Sequence, residues 1–108
     1  MILPDASPVR NFLSIDLIKE HVIQVAREYE AAKVFLFGSC ARGDMNSDSD
    51  VDILLEKGSI KGMQLLDFQG ELERRLGCKV DVVTTAGASE RFLKRINNEK
   101  ILLYSNES

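Results

Sequence analysis

Cysteine, tryptophan, histidine and long apolar runs are all scarce or missing in this chain, and each shortage closes off a class of function. The two cysteines, Cys40 and Cys78, lack metal-ligand spacing, and a lone disulfide is out of place in a reducing compartment, so both are expected as free thiols. No apolar stretch approaches bilayer length, and Met1-Ile2-Leu3-Pro4-Asp5 lacks the basic start and apolar core of a signal peptide. The expectation is a soluble, cytoplasmic protein with no membrane role. The single histidine, His21, is far in sequence from every acidic motif and reads as a half-buried or solvent-facing helical residue. A net charge of −3 offers no general attraction to polyanions, and Lys and Arg form no block, so direct nucleic-acid binding is disfavoured.

What the chain does have is enough apolar residue for one core. A length of 108 residues with 44% hydrophobic content predicts a single domain. Residues 1–13 contain Pro4 and Pro8 and no sustained period, which predicts an N-terminal arm, with the domain proper over 14–108. Ser14 can cap a helix over Ile15–Glu30, where Ile18, Val22, Val25 and Tyr29 recur at three- and four-residue steps. Val34-Phe35-Leu36-Phe37 is short and continuously apolar, as a buried strand is. Asp50–Glu56 alternates, with Val51, Ile53 and Leu55 on one face and Asp50, Asp52 and Leu54 on the other. Leu65, Phe68, Leu72 and Leu76 return at helical spacing until Gly77, a C-terminal stop, and Gly70 suggests a close approach of that helix to the sheet. Lys79–Thr84 alternates as a third strand, and a last helix is expected over Ser89–Lys100, followed by an apolar tail Ile101-Leu102-Leu103-Tyr104. The sum is an α/β domain with a small mixed sheet flanked by helices, its site at one edge where the first two strands meet.

Chemistry concentrates between Phe37 and Asp52. Phe37-Gly38-Ser39-Cys40-Ala41-Arg42-Gly43 places a Gly-Ser turn directly after a strand, which leaves backbone N–H groups facing outward for an anion such as a triphosphate. Taken alone, such a turn is equally a strand ending. Asp50 and Asp52 at i and i+2 project from one strand face, where they repel each other unless a divalent cation joins them. The turn followed at this spacing by the paired carboxylates points to a nucleotide and its magnesium. Asp81, a lone Asp between valines, is compatible by itself with a polar edge-strand position as well as with a third site carboxylate.

The set Gly38-Ser39-x-x-Arg42-Gly43, then Asp50-x-Asp52 on a strand, then Asp81 on a later strand, resembles the nucleotidyltransferase superfamily that includes the DNA polymerase beta palm. The compact length is similar to its minimal nucleotidyltransferase group, often the antitoxin half of a pair with a HEPN-type toxin. The resemblance covers Lys33 to Thr84 by motif and the whole chain by element order. It implies Mg²⁺-dependent transfer of AMP from ATP to a tyrosine hydroxyl of a HEPN-type partner. It also implies a two-metal site held by Asp50, Asp52 and Asp81, with Asp81 on the ion that activates the acceptor or acting as base. Gly38, Ser39, Arg42 and Gly43 would bind the phosphates. Cys40 departs from the basic or bulky residue common at its position in relatives, which leaves the charged phosphate contact to Arg42.

Other residues read more simply. Asp44 and Asp48 lie in a polar loop and cap or solvate it. Glu71, Glu73, Arg74 and Arg75 form the solvated face of a helix, while Arg91, Lys94 and Arg95 are surface or partner-facing. Because almost every residue is needed for one sheet and its helices, the acceptor is expected to arrive on a partner protein. The arm before Ser14 and the tail Ile101–Tyr104 are candidate docking surfaces, the tail reading at least as well as a cover for the core, and homo- and hetero-oligomers are equally open. Two further functions remain compatible with the motifs: a binding antitoxin that neutralises its partner stoichiometrically, and a small-molecule adenylyltransferase, which the missing substrate domain disfavours.

Overall fold

A computed structural model describes residues 14–42 and 50–106, apart from the Ser39 side chain. The expected arm over 1–13, Gly43, and the loop aspartates Asp44 and Asp48 lie outside the described residues. Among the described residues, eight elements follow in order: α1 (Ile15–Tyr29), β1 (Lys33–Phe37), α2 (Ser39–Arg42), β2 (Val51–Glu56), α3 (Gly62–Leu76), β3 (Val80–Thr84), α4 (Glu90–Ile96) and β4 (Ile101–Ser105). The strands form one sheet in the order β3-β2-β1-β4. β1 runs antiparallel to both β2 and β4, and β2 runs parallel to β3, with α3 making the crossover that parallel neighbours require.

Period-two alternation divides each strand between two cores. Val34 and Leu36 of β1, Val51, Ile53 and Leu55 of β2, and Val80 of β3 pack against Ile18, Val22 and Val25 of α1 and Phe68, Leu72 and Leu76 of α3. The opposite face carries Phe37 and Leu54, covered by Ile96 of α4, with Phe35, Val83, Phe92 and Leu93 around them. By the same alternation Asp52 and Asp81 belong to this α4 side of the sheet. Local signals set the helix ends. Ser14 Oγ accepts the Leu17 N–H at 3.1 Å at the start of α1, and Gly77, at φ 71°, lets the Gly77 N–H reach the Glu73 carbonyl at the end of α3.

Several expectations are corrected. Gly70 does not mark a close approach to the sheet: it is exposed, and a β-carbon there would meet nothing within 4 Å. The last helix ends at Ile96, where a turn through residues 97–100 reverses the chain. Of the two readings of the tail Ile101–Tyr104, the cover for the core is the one found: it is most of β4, paired with β1, with Leu103 buried. Consequently β1 and β2 are the central pair, and their meeting point lies at one end of the sheet's middle and not at its edge.

Candidate active site

The site begins where β1 stops. Gly38 adopts φ +79°, a left-handed conformation that other residues take only at a cost, and so turns the chain out of the sheet into the single turn of α2. Arg42 N–H closes that turn on the Gly38 carbonyl at 3.1 Å. Helix α2 is not legible from periodicity, because four residues are too few to show a period. The expectation of an outward-facing, unpaired cradle amide is also corrected: the Gly38 N–H donates to Glu99 Oε2 at 2.9 Å.

Asp52 sits beside that turn because Phe37 and Asp52 are register partners across the antiparallel β1–β2 pair. A β-carbon built on Gly38 would fall 2.2 Å from Asp52 Oδ2, so only glycine fits against this carboxylate. On its other side Asp52 pairs in register with Asp81 across the parallel β2–β3 ladder. Asp50 lies one residue before β2, exposed, where its carbonyl accepts the Cys40 thiol at 3.4 Å. The Val51 N–H to Lys79 carbonyl bond, 3.0 Å, ties this end of β2 to the start of β3. Sheet pairing therefore brings Gly38, Asp52 and Asp81 together, and Asp50 stands at the same end.

Burial pushes the Asp52 carboxyl above the ordinary aspartate range, and Asp81 and Asp50 push it the same way, against a smaller opposing pull from Arg42. A divalent cation would relieve each of those penalties, and oxygen donors of this kind suit magnesium. Among the described residues no three His, Cys, Asp or Glu side chains already close around one point. The carboxylates form a facing pair, with Asp50 at the start of the strand, so a cation would draw them inward. Cys40 beneath them is 1% exposed, and burial first, then Asp52, Cys78 and Asp50, pushes its thiol up to about 11. It is packing, not a nucleophile.

Glu99 is the residue that sequence reasoning missed. It accepts from Gly38 and also pairs with Arg42, whose Nη1 lies 3.3 Å from Oε1. The Gly38 hydrogen bond foremost, with Arg42 assisting, holds the Glu99 carboxyl below its usual range. Nothing local marks this residue; the contact spans 61 positions and exists only once β4 has docked. Gly38, Arg42 and Glu99 line a cleft of about 290 Å³ with Phe37, Phe92 and Arg95. Phe37 and Phe92 meet edge to face at 5.5 Å, and the Arg95 guanidinium lies 5.6 Å over the Phe92 ring. Larger hollows of about 530 and 560 Å³ lie elsewhere, one at Tyr29 and Glu71 and one at Phe35 and Leu93. Neither is lined by a residue of the Gly38–Arg42 turn, whereas the smaller cleft is lined by both Gly38 and Arg42.

Four matches to known proteins bear on the chain. Residues 20–108 match the family model described as polymerase beta, nucleotidyltransferase. A protein of Methanocaldococcus jannaschii that carries the provisional name protein adenylyltransferase MJ0435 is 34% identical over 90 residues, covering 82% of this chain and 97% of that protein. Among solved structures, one provisionally described as a minimal nucleotidyltransferase is 28% identical with a TM-score of 0.72, covering 82% of this chain and 95% of its own. A chain of a solved complex, named as a tri-AMPylated Shewanella oneidensis HEPN toxin with MNT antitoxin, shares the fold at 19% identity and a TM-score of 0.66 over 84% of this chain and 72% of its own.

Proposed function

The chain belongs to the polymerase beta nucleotidyltransferase family, and from that premise we propose that it transfers AMP from Mg-ATP to a hydroxyl, most simply a tyrosine's, of a HEPN-type toxin and so acts as its antitoxin. The observation that carries the reading is the contact between Gly38 and Asp52: the phosphate turn and the carboxylate pair are one surface, with no room for even a methyl group between them. The provisional adenylyltransferase name of the Methanocaldococcus relative and the AMPylated toxin in the Shewanella complex support the choice of AMP and of acceptor.

In this reading Gly38, Ser39 and Arg42, with Gly43 beyond them, bind the β- and γ-phosphates through backbone amides and one guanidinium. Asp50, Asp52 and Asp81 hold magnesium, which when bound neutralises charge on the triphosphate and lowers the pKa of the acceptor hydroxyl. The acceptor oxygen forms a bond to the α-phosphorus while the bond from that phosphorus to the bridging oxygen breaks, and pyrophosphate leaves with the electron pair. The hydroxyl proton passes to a carboxylate, for which Asp81, in register beside Asp52, is the candidate. Gly38 follows the inner strand β1 and Asp52 lies on the inner strand β2, with Asp81 beside them on the edge strand β3.

The test is incubation of the purified chain with ATP, Mg²⁺ and the product of the adjacent reading frame, against the Asp50→Asn, Asp52→Asn double variant. Addition of AMP to the partner by the native chain alone supports the transferase. Equal neutralisation by both chains without modification would make this a stoichiometric binding antitoxin instead.

A further inference from the structure

Glu99 is held in place by the turn that follows α4, in which the Glu99 and Lys100 amides both donate to the Ile96 carbonyl, at 3.0 and 2.9 Å. From there its two carboxylate oxygens take the Gly38 N–H and the Arg42 guanidinium. One backbone amide plus one guanidinium is also the donor set that holds a phosphoryl group, and a carboxylate satisfies it with the same sign of charge and the same acceptor geometry. The single Gly38 hydrogen cannot serve Glu99 and a phosphate oxygen at full strength together. An anionic Glu99 would also repel an incoming triphosphate at short range.

Resting on the reading of Gly38 and Arg42 as the phosphate cradle, we propose that Glu99 is an internal competitor for the triphosphate: its carboxylate caps the cradle and must swing toward solvent before the nucleotide's phosphates can take its two donors. The contact is built to yield. The Arg42 and Glu99 side chains are 52% and 27% exposed, so solvent and salt weaken their attraction and the cap costs affinity without blocking the site.

The test is calorimetric titration of ATP and, separately, of inorganic tripolyphosphate into the intact chain and its Glu99→Ala and Glu99→Gln variants at low salt, with the Gly38 amide followed by NMR. The apparent dissociation constant is raised by the fraction of molecules in which the cap is closed, so Glu99→Ala is expected to bind both probes about three- to tenfold more tightly. Glu99→Gln, which keeps an oxygen for Gly38 but loses the charge, should gain less, and it decides the matter if the alanine variant does not fold. The Gly38 amide of the native chain should shift as either probe saturates. Binding by the native chain that is unchanged or weakened in both variants overturns the cap and leaves the phosphate reading standing. Binding of neither probe by any of the three overturns both.

Discussion

Gly38 and Asp52 are in contact across the β1–β2 pair so closely that a methyl group on Gly38 would lie 2.2 Å from Asp52 Oδ2 and 3.1 Å from its carboxyl carbon. Two requirements meet at one position. The chain needs φ +79° to leave the sheet, and Asp52 needs the space that a side chain would fill.

Gly38→Ala separates the two. The positive φ costs about 1–2 kcal/mol in a residue with a β-carbon, a loss most domains of this size survive. The clash is with the end of a side chain and is relieved when Asp52 rotates away. Adenylyl transfer should therefore fall by about 100-fold or more through the misplaced carboxylate while the fold persists. Activity assays paired with urea denaturation check it, and a variant that is both folded and active contradicts it.

Asp52→Asn should stabilise the protein while abolishing its chemistry. An acid whose folded pKa lies above its unfolded value, ordinarily 3.8, adds stability below that value and loses it as pH rises through the folded one. At neutral pH the ionised Asp52 is thus a net liability, owed to burial and to Asp81 and Asp50. In magnesium-free buffer the variant should melt above the wild type at pH 7, with the gap closing toward acid. A lower melting temperature at pH 7 would show that Asp52 is not opposed by its neighbours.

Cys40 should be inert in the folded state. With its thiol raised to about 11 and its side chain 1% exposed, iodoacetamide at neutral to mildly alkaline pH should label it only after denaturation. Cys78, also raised chiefly by burial, should lag less because it is half-exposed. Mass spectrometry of tryptic peptides reads both, and fast labelling of native Cys40 would mean that the floor of the site opens.

Gly70→Ala should stabilise by about 0.5–1 kcal/mol. The residue is exposed in the middle of α3 and an added methyl meets open space, so only the helix propensity changes. Denaturant midpoints check the sign, and a destabilised variant would indicate a partner surface on that face of α3.

The history of Gly70 shows where sequence reasoning loses its grip. Periodicity located α3 and its stop at Gly77, because burial of Phe68, Leu72 and Leu76 repeats with the helix and Gly77 sits just past the end. It says nothing of how near a backbone comes to another element, so a mid-helix glycine reads the same whether it faces a neighbour or open space. The Gly38 turn and Asp52 are legible because strand alternation and turn chemistry are local, whereas the register that joins Phe37 to Asp52 is set by pairing of β1 with β2 across the intervening residues 38–50. Ile101-Leu102-Leu103-Tyr104 shows no alternation in the sequence because the register shift between Val34 and Phe35 interrupts it. Glu99 was invisible for a related reason. Its role depends on β4 docking beside β1, which carries the turn after α4 to the mouth of the cradle.

The central claim is that the Gly38 turn and the Asp52–Asp81 pair form one magnesium-dependent adenylyl-transfer site. The most direct measurement incubates the chain and its HEPN-type partner with ATP labelled in turn at the α- and γ-phosphorus, with Mg²⁺ and with EDTA. Label from the α-position alone, retained on the partner and abolished by EDTA, is the predicted result. Transfer of the γ-label, or a partner that is silenced with no label at all, would contradict it.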